Sequence, residues 1–134
     1  MRNLNNYFEG IAKPFVPLTP WILRLVIGIS FILHGLSKFP LPYLINDSEI
    51  LGGIVAIAEV LAGAGVMIGG IFRNELGNII TRLSGGAILV IMIGALIITH
   101  PNWFQSWEGL KQFIWKEQIY LLVLGFYFAV RGNN

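Results

Sequence analysis

Apolar residues in this chain come in long runs rather than in the spaced patterns of water-facing elements. A helix rises about 1.5 Å per residue, so crossing a bilayer core of about 30 Å takes about 20 apolar residues. Four runs are candidates. Residues 20–39 read PWILRLVIGISFILHGLSKF, with Thr19 placed as an N-cap, Pro20 at the first helical position, and Pro40 and Pro42 as stops. Residues 50–72 follow Asn46-Asp47-Ser48, which reads as a turn plus a cap. Residues 83–99 lie between Arg82 and His100-Pro101. The fourth run, IYLLVLGFYFAV at 119–130, has 12 residues. It would cover only about 18 Å. To span, its helix must reach back through Gln118 and Glu117, giving 113–131 and drawing Glu117 into the membrane.

The intervening segment has a pattern of its own. Trp103, Trp107, Leu110 and Ile114 fall at i, i+4, i+7 and i+11, with Glu108, Lys111 and Gln112 off that stripe. This predicts a short amphipathic helix over 101–112, with its tryptophans at headgroup level. Residues 1–18, with Tyr7, Phe8 and Phe15, read as a second interfacial segment. The expected fold is all-α: a transmembrane four-helix bundle over 19–131, with a short interfacial helix before the last span.

Composition narrows the class further. The chain has 134 residues, 55% hydrophobic and 12% charged, against about 25% charged in ordinary soluble domains. Its mean hydropathy is +0.71. A soluble fold of this size could not hide so much apolar surface, so membrane lipid is an expected partner. A net charge of +2 gives no reason to expect nucleic acid. The absence of cysteine removes disulfide and thiol chemistry. No haem, flavin, iron–sulfur or metal motif is visible. The first 20 residues lack the apolar core and cleavage site of a signal peptide. Arg2, Lys13, Arg73, Arg82 and Arg131 fall on one side of the spans, and Lys38, Lys111 and Lys116 on the other. The positive-inside rule then places both termini in the cytoplasm.

Glu59, in the middle of the second run, is the most informative residue. An ionised carboxylate at the bilayer centre costs roughly 2.5 kcal/mol or more, so it faces a protein interior, pairs with a cation or takes part in function. Counting helical rise from the span ends puts His34, Glu59 and Glu117 in the same half of the membrane, with His100 and Lys38 near that face. Lys38 follows His34 at i+4. Around the first helix Arg24 and Lys38 lie about 40° apart, and His34 about 80° from Arg24. Gly28 and Gly35 share that arc and would admit a close helix or a flat ligand. Arg24 and Lys38 are therefore alternative partners for Glu59. A structural acid–base pair that fixes helix register is as natural a reading of that contact as a functional one. Gly65-x-x-x-Gly69 and Ala58-x-x-x-Ala62 read as helix-packing faces.

Taken in order, these segments resemble the DoxX family of small four-helix membrane proteins. The resemblance rests on Arg24–Gly28 leading into His34-Gly35-Leu36-Ser37-Lys38-Phe39, then Ala58-Glu59-Val60-Leu61-Ala62-Gly63, Gly69-Gly70-Ile71-Phe72-Arg73, Gly94-Ala95 before His100, and Glu117 before Leu121-Leu122. It covers residues 20 to 130. It implies a four-helix fold in a prokaryotic cytoplasmic (inner) membrane and a link to membrane redox chemistry, the family being named for a subunit of a thiosulfate:quinone oxidoreductase.

The leading expectation is a quinone-interacting subunit of a membrane oxidoreductase complex, with other subunits supplying the electrons. Glu59, His34 and Glu117 would carry protons. Arg24, His34, Lys38, Glu59 and His100 would hold the quinone. The alternative is a non-catalytic accessory subunit packed against a larger complex, its polar cluster serving as internal glue. A proton-coupled carrier is a third reading, disfavoured by the lack of broken helices or inverted repeats.

Overall fold

The computed structural model describes residues 2–40, 44–45, 47–99, 105–109, 111 and 116–133. Their architecture is all-helical. The helices are α1 (Arg2–Ala12), α2 (Thr19–Leu36), α3 (Glu49–Ile71), α4 (Glu75–Thr99) and α5 (Glu117–Arg131), with a 3₁₀ segment, Lys13–Leu18, joining α1 to α2. Among the described residues the only β-type pairing is an isolated bridge between Ile45 and Ser48.

Helices α2, α3, α4 and α5 pack each on the next, and a smaller contact joins α5 back to α2. The buried core takes two side chains from each: Ile27 and Phe31, Ala62 and Val66, Ile88 and Met92, Leu121 and Phe128. The first three pairs are spaced i, i+4 and the last i, i+7, which puts each pair on one helix face. The opposite faces are also apolar. Leu61 is 66% exposed, Val90 69% and Ile97 65%. Apolar faces this exposed suit lipid rather than water as the surrounding solvent. Three stretches are long and apolar enough to cross a membrane: residues 3–36, containing α2, then α3, then residues 75–98 of α4. Helix α5, with 15 residues, reaches about 22 Å, short of the roughly 30 Å core.

Glycine sets how closely the helices approach. A Cβ on Gly63 would lie 2.6 Å from the Gly28 carbonyl oxygen, and one on Gly85 2.8 Å from that of Gly125. These are the α2–α3 and α4–α5 crossings. Gly65 and Gly69 instead face Ser84 and Thr81 of α4, so that small-residue face is used within the protein.

The boundaries differ from the sequence reading in four places. Helix α2 begins at Thr19 and ends at Leu36, not at 39. The Thr19 hydroxyl donates back to the Val16 carbonyl at 2.8 Å and does not cap the helix. Helix α4 starts at Glu75, eight residues before the expected 83, with the Asn74 side chain accepting the Gly77 N–H at 2.9 Å. This first part of α4 carries Asn78, Thr81 and Arg82, which meet polar groups near the C-terminus. Helix α5 starts at Glu117, because Lys116 is extended at ψ 135°. The expected backward extension to 113 is therefore broken at 116. By contrast, Ser48 caps α3 as its position implied, accepting the Leu51 N–H at 3.2 Å. Residues 2–12, read as an interfacial segment, form a helix whose described side chains are all exposed. Within 101–112, residues 107–109 and 111 are helical, and the Lys111 ammonium sits 5.7 Å from the Trp107 ring centroid. Trp103, Leu110 and Ile114 lie outside the described residues.

Candidate functional site

The C-terminal end of α2 meets the N-terminal part of α5 on the same side as the first half of α3. Three sequence-predicted residues converge there, and a fourth touches them. Lys38, two residues past the end of α2, donates from Nζ to Oε2 of Glu59. Their side chains are 12% and 4% exposed. Glu59 therefore has its counter-charge, and that partner is Lys38. The same ammonium donates to the His34 carbonyl oxygen at 3.2 Å, which ties the pair to the last turn of α2.

His34 and Lys38 share one wall of a cavity, and His34 makes its own contacts. Its Nδ1 lies 2.8 Å from the Ser30 carbonyl oxygen, and its Nε2 lies 3.2 Å from Oε1 of Glu117. A carbonyl only accepts, so Nδ1 carries a hydrogen. Nε2 then opposes a carboxyl with one shared proton to place, either on the imidazole or on Glu117. Glu117 is 71% exposed and His34 36%. A carboxyl open to the surroundings thus touches an imidazole on the cavity wall.

Between these groups lies a cavity of about 590 Å³. His34, Lys38, Glu59 and Gln118 supply its polar wall; Leu51, Val55, Ile91, Met92 and Ile98 are among its apolar walls. The Gln118 Oε1 is buried with no hydrogen-bond partner, leaving an acceptor at the polar side of the cavity. Among the described residues no three His, Asp or Glu side chains converge as metal ligands would. The donors and acceptors that do gather suit a neutral, carbonyl-bearing molecule with an apolar body.

Of the other expected members, one is undescribed and one is placed elsewhere. His100 lies outside the described residues. Arg24 is directed elsewhere: its Nη2 donates to the Gly132 carbonyl at 3.3 Å and to Asn133 Oδ1 at 2.7 Å, at the other end of the helices. Lys38 lies past the end of α2, where a helical angle does not carry, and the ten residues from Arg24 to His34 are about 15 Å of helix. Around Arg24 sits a network that sequence reasoning missed. Asn133 Nδ2 donates to the Gly69 and Phe72 carbonyls, Thr81 Oγ1 donates to Asn133 Oδ1, and the Asn133 N–H donates to Asn78 Oδ1. The spacing of Asn78, Thr81 and Arg82 at i, i+3, i+4 was its visible signal.

Fold and cavity together define an all-helical chain, with three stretches fit to cross a membrane and a polar-lined cavity at one end of its helices. Comparison with known proteins returns no matching family model, no matching curated protein and no matching solved structure.

Proposed function

We propose that this chain is a DoxX-like integral membrane protein whose helices α2–α5 form a transmembrane four-helix bundle, and that it is the quinone-interacting subunit of a membrane oxidoreductase complex. One observation carries this reading: the 590 Å³ cavity whose polar wall joins His34, Lys38, Glu59 and Gln118 and whose remaining walls include aliphatic side chains. A quinone has two carbonyl oxygens on a flat ring and an apolar tail, and each part finds a matching wall. Full reduction of a quinone takes two electrons and two protons. The electrons come from a partner subunit. Lys38 donates a hydrogen bond to a ring oxygen, Glu59 delivers one proton to the reduced ring, and His34, turning from Glu117, carries the second, which Glu117 passes to it from outside the cavity. The location that goes with this reading is the inner membrane of a prokaryote, multi-pass, with both termini cytoplasmic.

The test is extraction of the protein from its native membrane in mild detergent and measurement of bound quinone. Near one quinone per chain, lost in Glu59→Gln, is the expected result. No quinone in either sample would remove the reading. A second reading, a non-catalytic accessory subunit, is favoured by the closure of Lys38 and Glu59 on each other. Under it Glu59→Gln lowers thermal stability and leaves turnover of the assembled complex unchanged.

A further inference from the structure

A second cavity, of about 560 Å³, opens at the opposite end of the helices and owes nothing to the quinone reading. Its lining includes Trp21, Arg24, Arg73, Asn74, Glu75 and Asn78. Arg24 is the unusual member. It is 4% exposed, and a guanidinium stays charged in any protein setting. Burying such a charge is costly unless an anion faces it. The groups Arg24 meets are neutral: the Gly132 carbonyl, the Asn133 amide oxygen and the face of the Phe128 ring, 4.8 Å from Cζ. Its Nε is buried without a hydrogen-bond partner. Among the described residues no carboxylate pairs with Arg24 or with Arg73. Glu75 lines the cavity but closes neither pair.

We propose that this cavity binds a phosphate group, held between Arg24 at its base and the exposed Arg73 at its rim, with the Asn74 and Asn78 amides as further donors. Phosphate is the anion that two guanidinium groups and side-chain amides match best, through several charge-assisted hydrogen bonds at once. The depth is also suitable. Arg24 lies five residues after the start of α2 at Thr19, about 7.5 Å along the helix. The preceding helix α1 exposes Leu4, Tyr7, Phe8 and Ile11 at i, i+3, i+4 and i+7, an apolar stripe of the kind that rests at a membrane surface. A phospholipid headgroup and a free phosphate compound both present this chemistry at that level.

The full-length protein, delipidated in detergent, is titrated separately with phosphatidylglycerol in mixed micelles and with inorganic phosphate, following melting temperature and native-mass adducts. Wild type is expected to bind at least one probe, and Arg73→Gln to bind it about tenfold more weakly, a factor of ten corresponding to loss of one charge-assisted contact. Phosphatidylglycerol alone acting identifies a lipid headgroup. Inorganic phosphate acting as well identifies a free phosphate site. Glu59→Gln, at the other end, is expected to leave both titrations unchanged. Arg24→Gln is expected to abolish binding, but it also cuts the Asn133 network, so Arg73→Gln decides. Binding of neither probe by wild type, or undiminished binding by Arg73→Gln, would overturn the proposal.

Discussion

Glu59 and Lys38 show how a single buried pair constrains the protein. Removing one partner of a buried ion pair costs about 3–5 kcal/mol, because the other charge is left without compensation, whereas replacing both with neutral groups of similar size is often neutral. Glu59→Gln is therefore expected to lower stability by several kcal/mol, and adding Lys38→Met to recover most of it. Denaturant or thermal melts of the two variants in detergent check this. If the double variant melts like wild type yet loses quinone-dependent turnover, the pair has a chemical role beyond holding α2 to α3. Glu117 offers the converse case. At 71% exposure, Glu117→Gln is expected to change stability by under about 1 kcal/mol. If Glu117 feeds protons to His34, turnover falls about 10²-fold while bound quinone is retained; unchanged turnover would end its relay role. Glu59 was legible in the sequence because a carboxylate within an apolar run needs a partner. The choice between Lys38 and Arg24 was not, since helical angle ignores distance along the axis. Gln118 and Asn133 were invisible for a different reason. Uncharged amides near span ends carry no penalty that singles them out, and their roles depend on which carbonyls the fold brings near.

Helices α2 and α3, and likewise α4 and α5, cross where two glycines meet. Within a membrane, close packing and interhelical contacts replace the hydrophobic drive of water, so these crossings matter to stability. Gly63→Ala places a methyl 2.6 Å from the Gly28 carbonyl oxygen, which forces α2 and α3 apart. A loss of about 1–3 kcal/mol is expected. Gly86, also in a helix, has nothing within 4 Å of a Cβ position. Gly86→Ala is expected to be neutral or to stabilise by up to about 1 kcal/mol. Melting temperatures of the two variants, measured in the same detergent, should move in different directions; equal shifts would show that the crossings are not tightly packed. Element existence was readable from hydropathy because lipid-facing helices are apolar on nearly every face. Element ends were less so. Glu75, Asn78, Thr81 and Arg82 look like loop residues, yet Asn74 caps the chain into a helix that carries them beyond the apolar run. A start at 113 follows from requiring α5 to be as long as a full span, a length this helix does not have. Lys116 stays extended, and residues 113–115 lie outside the described part of the chain.

At the scale of the whole molecule the four-helix proposal turns on α5, whose 15 residues reach about 22 Å. Two physical facts favour a crossing. Its core residues Leu121 and Phe128 are buried in the core shared with the other helices, and it packs on α4, a helix long enough to span. Its two ends are also tied to opposite ends of α2: Glu117 to His34, and the Gly132–Asn133 turn to Arg24. The α2 residues so tied, Arg24 and His34, are about 15 Å apart along the axis, within the reach of α5, and under the proposed four-helix reading a helix this short crosses where the bilayer thins or its flanking segments lie in the headgroups. The chain has no cysteine, which permits single-cysteine labelling without background. Asn3→Cys, Arg73→Cys and Arg131→Cys are expected to react with a membrane-impermeant maleimide only after the cytoplasmic side is opened. Asp47→Cys and Ser106→Cys are expected to react in intact cells, since four alternating spans put them on the outer face. If residue 131 labels from the same side as residue 106, α5 does not cross, and the four-helix transmembrane reading fails even though the packing of α5 on α4 stands. If every position labels from the side opposite to that expected, the spans are right and the orientation drawn from the loop charges is reversed. The His34–Glu117 pair would then draw its protons from the cytoplasm rather than from outside the cell.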